Sequence, residues 1–159
     1  MGKWGKEVIH CLNESLHTSA SDVQDAVQIP LLHIADATAD QIKKEGNYKV
    51  GLLGTRFTME QDFYKGRMRE KGFEVLIPSE PDRNPIHRVI YDELCKGKIL
   101  PESREEFLRI SRQFMGDGVQ GIVLGCTEIP LLVRREDAPY PLYDTTRIHA
   151  EAAVTYALE

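Results

Sequence analysis

Residues 121–130 read GIVLGCTEIP. The run from Gly121 to Leu124 is apolar, contains the β-branched Ile122 and Val123, and is too short to bury a helix. It therefore predicts a buried strand. Gly125 closes the run, and a thiol (Cys126), a hydroxyl (Thr127) and a carboxylate (Glu128) follow at once. A strand apolar on both faces belongs to a parallel sheet with helices packed on each side. Further short apolar runs at 30–34, 49–53, 73–77 and 141–143 predict more strands. Helical periodicity fills the gaps at 18–28, 36–44, 58–72, 85–97, 101–115 and 145–158. Thr58 and Gln61 have the spacing of a capping box. Asn84-Pro85 reads as a cap followed by proline at the first helical position. Val23, Ala26 and Val27 share one face of the 18–28 segment and read as its buried side. Strands alternating with helices give an α/β fold with a parallel sheet.

In such sheets, ligands bind beyond the carboxyl ends of the strands. Gly54-Thr55, Gly125-Cys126-Thr127 and Asp144-Thr145 all fall at such ends. Cys126 has two readings there. Free cysteine is among the most buried residue types, so the thiol can be a small core group. At the mouth of a cleft it can instead do chemistry, made more acidic by nearby backbone N–H groups. Cys95 ends an amphipathic helix and reads as structural. Gly54-Thr55-Arg56-Phe57-Thr58 is either an ordinary strand-to-helix turn or a cradle of hydroxyls and N–H groups for a carboxylate. The chain has neither GxGxxG nor GxxxxGK[ST], so a nucleotide is not expected. His33, His87 and His149 share no metal-ligand spacing, and no metal is expected. His87 reads as a surface residue, whereas His149, one turn into the last helix, can reach the cleft. Glu128 either caps the next turn or places a charge beside Cys126.

The bulk properties narrow the partners. The 159 residues carry a net charge of −5, with Lys65–Arg69 and Arg134-Arg135 the densest basic spots, both diluted by acids. That is no nucleic-acid surface. The apolar runs are too short to cross a bilayer, and the first ten residues lack a signal-peptide core. Cys11, Cys95 and Cys126 are odd in number and widely spaced, which fits reduced thiols and a cytoplasmic protein.

Four stretches together resemble the aspartate/glutamate racemase superfamily, within it the aspartate racemase and broad-specificity amino-acid racemase branch. They are PLLHIADATA (30–39), VGLLGTRFTMEQDFYKGRM (50–68), GIVLGCTEIPLLV (121–133) and YDTTRIHAEAAV (143–154). Glu128, where glutamate racemases carry histidine, favours the aspartate-type branch. The resemblance implies cofactor-independent racemisation of an aspartate- or glutamate-like amino acid. In that chemistry one thiolate removes the α-proton and an opposing thiol protonates the other face. It also implies Cys126 and Cys11 as the pair, Thr55, Thr58, Thr127 and Asn13 around the substrate, and Glu128 and His149 in support. Cys11 and Asn13 match the first cysteine motif with one residue inserted before His17; without a gap, Leu12 takes the catalytic place.

Family members have two similar lobes. Residues 47–134 correspond to a complete second lobe, 1–46 to a remnant of the first, and 135–159 to a strand and helix returning to it. Faces meant for missing strands would be exposed, so a homodimer is expected. Two other functions fit the same residues: a non-catalytic carboxylate-binding module or inactive remnant, and a decarboxylase or isomerase with one working cysteine.

Overall fold

In the computed structural model, which describes residues 7–11 and 13–158, the apolar runs become parallel strands. Two short ones, β1 (Ile9–His10) and β2 (Leu31–Leu32), pair with each other. The central sheet contains β3 (Lys49–Gly54), β4 (Glu74–Leu76), β5 (Gly121–Gly125) and β6 (Leu142–Asp144). Its order is β4-β3-β5-β6, all parallel, as the sequence predicts. Strand β6, in the 135–159 segment, thus continues the sheet built by residues of 47–134.

The helices are α1 (Ala20–Ala26), α2 (Ile34–Lys44), α3 (Arg56–Glu60), α4 (Asp62–Glu70), α5 (Glu80–Asp92), α6 (Pro101–Gly116), α7 (Ile129–Leu132) and α8 (Thr145–Leu158). Side chains along a strand alternate between faces, and both faces of the sheet are covered. Leu53, Ile122 and Leu124 enter one core with Ile86 and Ile90 of α5 and Phe107 and Phe114 of α6. Val50, Leu52 and Val123 enter the other, with Ile34 and Ile42 of α2 and Tyr64 and Met68 of α4.

Three local expectations are corrected. The helix after β3 is capped by Thr55, whose hydroxyl accepts from the Thr58 N–H, and it breaks at the extended Gln61. The Thr58/Gln61 spacing is therefore not the cap. Helix α5 starts at Glu80, with Pro81 in its first turn and Pro85 inside it. The earlier proline already satisfies the preference for proline where N–H groups lack partners. The 18–28 segment splits into a 3-10 turn (Glu14–Ser19) and α1, and Val23 and Ala26 are exposed.

The ends of β3 and β5 approach closely because Gly54 pairs with Gly125. A Cβ on Gly54 would stand 2.7 Å from the Gly125 carbonyl oxygen and 3.1 Å from Thr58 Cβ. Backbone cannot swing aside as a flexible side chain can. Gly54→Ala is accordingly expected to destabilise the chain by about 1–3 kcal/mol, read from the urea midpoint.

A group of histidines ties the N-terminal segment to the sheet helices. The His17 ring lies 4.5 Å from His33 and 5.6 Å from His149. His33 caps α2, its Nδ1 accepting from the Ala35 N–H at 3.1 Å. Burial first, then the neighbouring charges of His17 and Arg67, pull His33 down to about 4. Its neutral form contributes stability that is present above 6.5 and lost as pH falls through about 4. Urea midpoints should fall over that window. His33→Asn, which keeps a capping acceptor that does not titrate there, should flatten the decline.

Candidate active site

The sheet order places a topological switch point between β3 and β5, where successive connections leave in opposite directions. Beyond their carboxyl ends lies a cavity of about 600 Å³. Thr55 and Thr58 reach it from the start of α3, and Gly125, Cys126, Thr127 and Glu128 from the end of β5. Asn13, Glu14 and Ser15 enter from the N-terminal segment, and Tyr91 and Cys95 from the end of α5 and the turn after it. Thr55, Thr58, Thr127, Asn13, Glu128 and Cys126 are therefore brought together.

Two expected site residues are not on this wall. Cys11 is half-buried, with its Sγ 3.9 Å from the Asn13 carbonyl oxygen, and its own carbonyl pairs with His17 Nε2 at 2.8 Å. The alternative register, with Leu12 in the catalytic place, lies outside the described residues. His149 is fully buried and its Nε2 pairs with the Leu32 carbonyl at 2.9 Å, joining α8 to β2. Asn13 lines the cavity, but its Oδ1 is engaged by the Ser15 N–H at 3.0 Å and the Ser15 hydroxyl at 2.6 Å.

Cys126 is 7% exposed, and its thiol donates to Glu128 Oε2 at 2.9 Å. The Thr127 hydroxyl donates to the same oxygen at 2.7 Å. Burial works against the charge of Glu128, yet these two donors hold its carboxyl below the usual range. The same geometry acts in reverse on sulfur. Burial, then the thiol's bond to Glu128, pushes the Cys126 thiol well up. At rest the site therefore contains a protonated thiol beside an ionised carboxylate.

Sequence reasoning passed over Glu14, which is buried, with its Oε1 2.8 Å from the Thr145 hydroxyl. Burial pushes its carboxyl up to about 7, with the charges of Glu128 and Asp144 acting the same way. The available signal is an acidic residue in the otherwise uncharged stretch from Cys11 to Leu16. Two milder readings also change. Cys95, taken as structural, is exposed on the cavity wall, because α5 ends at Asp92 and a 3-10 turn carries the cysteine outward. His87, taken as a surface residue, accepts from the Arg56 N–H at 3.3 Å and so caps the first turn of α3.

Among the described residues, no group of three or more His, Cys, Asp and Glu is arranged to hold a metal ion, and no helix is long and apolar enough to cross a membrane.

The sequence pattern of the Asp/Glu/hydantoin racemases matches residues 8–153, nearly the whole chain and every wall of the cavity. The chain belongs to the Asp/Glu/hydantoin racemase family. Among solved family structures, a Yersinia pestis protein provisionally assigned as an Asp/Glu racemase is 53% identical, with a TM-score of 0.92. The match covers 96% of this chain and 67% of that one. An aspartate racemase homologue from Pyrococcus horikoshii OT3 is 36% identical, with a TM-score of 0.89 over the same shares. The glutamate racemase of Aquifex pyrophilus is 25% identical over 126 residues, 79% of this chain and 46% of that protein. This racemase-family chain thus spans about two-thirds of the first two relatives and under half of the third.

Proposed function

We propose that the chain interconverts the enantiomers of an acidic or polar amino acid, aspartate above all, by cofactor-independent proton transfer at the α-carbon. One observation carries this: the Cys126 thiol stands at the switch-point cavity with Glu128 as its hydrogen-bond acceptor. The likeness to the aspartate racemase homologue of Pyrococcus horikoshii OT3 supports aspartate as the substrate class. Cys126 is one proton carrier. The Thr55, Thr58 and Thr127 hydroxyls, with the N–H groups of their turns, receive the substrate carboxylate and take up charge that develops as the α-proton leaves. An α-ammonium group arriving near Glu128 offsets the negative charge that keeps the proton on sulfur, and so frees a thiolate. A homodimer in the cytoplasm goes with this function, and sedimentation velocity checks the first of these.

The position of Cys11 off the cavity wall favours a second reading, carboxylate binding without turnover. Incubation with L-aspartate in heavy water separates the two. Racemisation predicts α-deuteration and decay of optical rotation, the decay being lost in Cys126→Ser. Saturable binding with no exchange would leave only the binding module.

A further inference from the structure

A proton-transfer racemase needs a second carrier on the face of the α-carbon that the first does not reach. Cys11, the family-implied partner, does not line the cavity. Glu14 does, entering from the N-terminal segment while Cys126 enters from the end of β5. Glu14 is 5% exposed, and among the described residues it forms no ion pair. A buried carboxylate with no cation beside it is unfavourable, and such groups concentrate where protons are moved.

The hydrogen bonds say which form it takes. Thr145 Oγ1 lies 2.8 Å from Glu14 Oε1 and also 2.8 Å from the Leu124 carbonyl oxygen. A hydroxyl has one proton, and a carbonyl can only accept. With a carboxylate at Glu14, one of the two contacts has no hydrogen. With the proton on Glu14, the carboxyl donates to Thr145 and Thr145 donates to Leu124, and both are satisfied. Leu124 is two residues before Cys126, so the same chain of bonds anchors Glu14 to the end of the strand that presents the thiol. A carboxyl poised near 7 exists in both forms under ordinary conditions.

We propose that Glu14 is the second proton carrier, opposite Cys126 across the substrate α-carbon; this rests on the racemase function proposed above. In one direction the Glu14 carboxylate takes the α-proton. The Cα–H bond breaks, its electron pair spreads from the α-carbon into the substrate carboxylate, and an O–H bond forms. Cys126 then gives its S–H proton to the other face and is left as thiolate. In the reverse direction that thiolate takes the α-proton and the Glu14 carboxylic acid returns one. The state left by one direction starts the other, so no further reactant is consumed.

The test uses the whole chain with L- and D-aspartate separately in heavy water, following α-deuteration by NMR and enantiomer content by chiral chromatography. Wild type should deuterate and interconvert both enantiomers. Glu14→Gln should lower interconversion at least about a hundredfold while still deuterating, without inversion, the one enantiomer whose α-proton faces Cys126. Cys126→Ser should show the mirror pattern, deuterating only the other enantiomer. Glu14→Asp, which keeps a carboxyl one methylene shorter, should restore part of the interconversion and so exclude simple misfolding of the glutamine variant. If Glu14→Gln interconverts at the wild-type rate, or if Cys11→Ser or Cys95→Ser gives the one-sided pattern instead, Glu14 is not the carrier and the racemase function stands. If wild type exchanges neither enantiomer, both are overturned.

Discussion

Cys126→Ser is expected to slow enantiomer interconversion by about 10²–10⁴-fold, the range that a positioned acid or base contributes. The loss follows from acidity, not from shape. Serine is nearly isosteric with cysteine and its hydroxyl can donate to Glu128 as the thiol does at 2.9 Å. The cavity should therefore persist, and thermal unfolding should move little. A serine hydroxyl is far less acidic than a thiol, however, and the oxygen cannot hold the anion that one half of the reaction requires. Chiral chromatography of aspartate incubated with each protein checks the rate. A variant that keeps wild-type turnover would exclude Cys126 from the chemistry.

Glu14→Gln is expected to remove a decline of stability with rising pH, opposite in sense to the rise that the buried histidines contribute. The Glu14 carboxyl titrates at about 7 in the fold against an ordinary value of 4.5. Below 4.5 it is protonated whether the chain is folded or not, and its contribution is complete. As pH rises towards 7, the unfolded chain releases the proton while the fold retains it, so stability declines. At about 1.36 kcal/mol per pH unit, the full decline is on the order of 3 kcal/mol. Glutamine does not titrate. Glu14→Gln should match wild type near pH 4.5 and become the more stable protein by pH 8. The contributions of His17, His33 and His149, whose neutral forms burial favours, are common to both proteins and cancel in the difference. Urea midpoints across this range provide the measurement, and a difference that stays flat would mean that Glu14 ionises freely in the fold.

A site that lowers stability near neutral pH fits the general conflict between activity and rigidity. Carriers of protons must sit where neither charge state is fully comfortable. Glu14 and Cys126 both meet that condition through burial, and among the described residues neither is paired with a cation.

The layout of the fold was largely legible before any coordinates. Runs such as 50–53 and 121–124 are apolar on both faces, so they had to be central strands of a covered sheet. Helix α6 lies between Pro101 and the left-handed Gly118, and the turn after α5 closes at the left-handed Gly97. Each of these is a local signal, decided within one or two turns of chain. The errors were local too, but arose where two signals competed. Pro81 and Pro85 both announce a helix start, and only the first is used. Thr55 and Thr58 both resemble caps, and the one at the strand end prevails because β3 stops there.

The sequence by itself determined the α/β alternation, the positions of the strand ends, and the thiol, hydroxyl and carboxylate that follow β5. Periodicity and end signals act between near neighbours, so they can be read along a line. Only the tertiary structure decided which side chains share the cavity. Glu14 meets Thr145 across 131 residues of chain, and no local pattern records such a contact. Long-range packing likewise locks His149 onto β2 across 117 residues, whereas Cys11 is held by the nearby Asn13 and His17 and does not line the cavity. Near neighbours in sequence build the elements, but the order in which the sheet assembles them selects the chemistry between them.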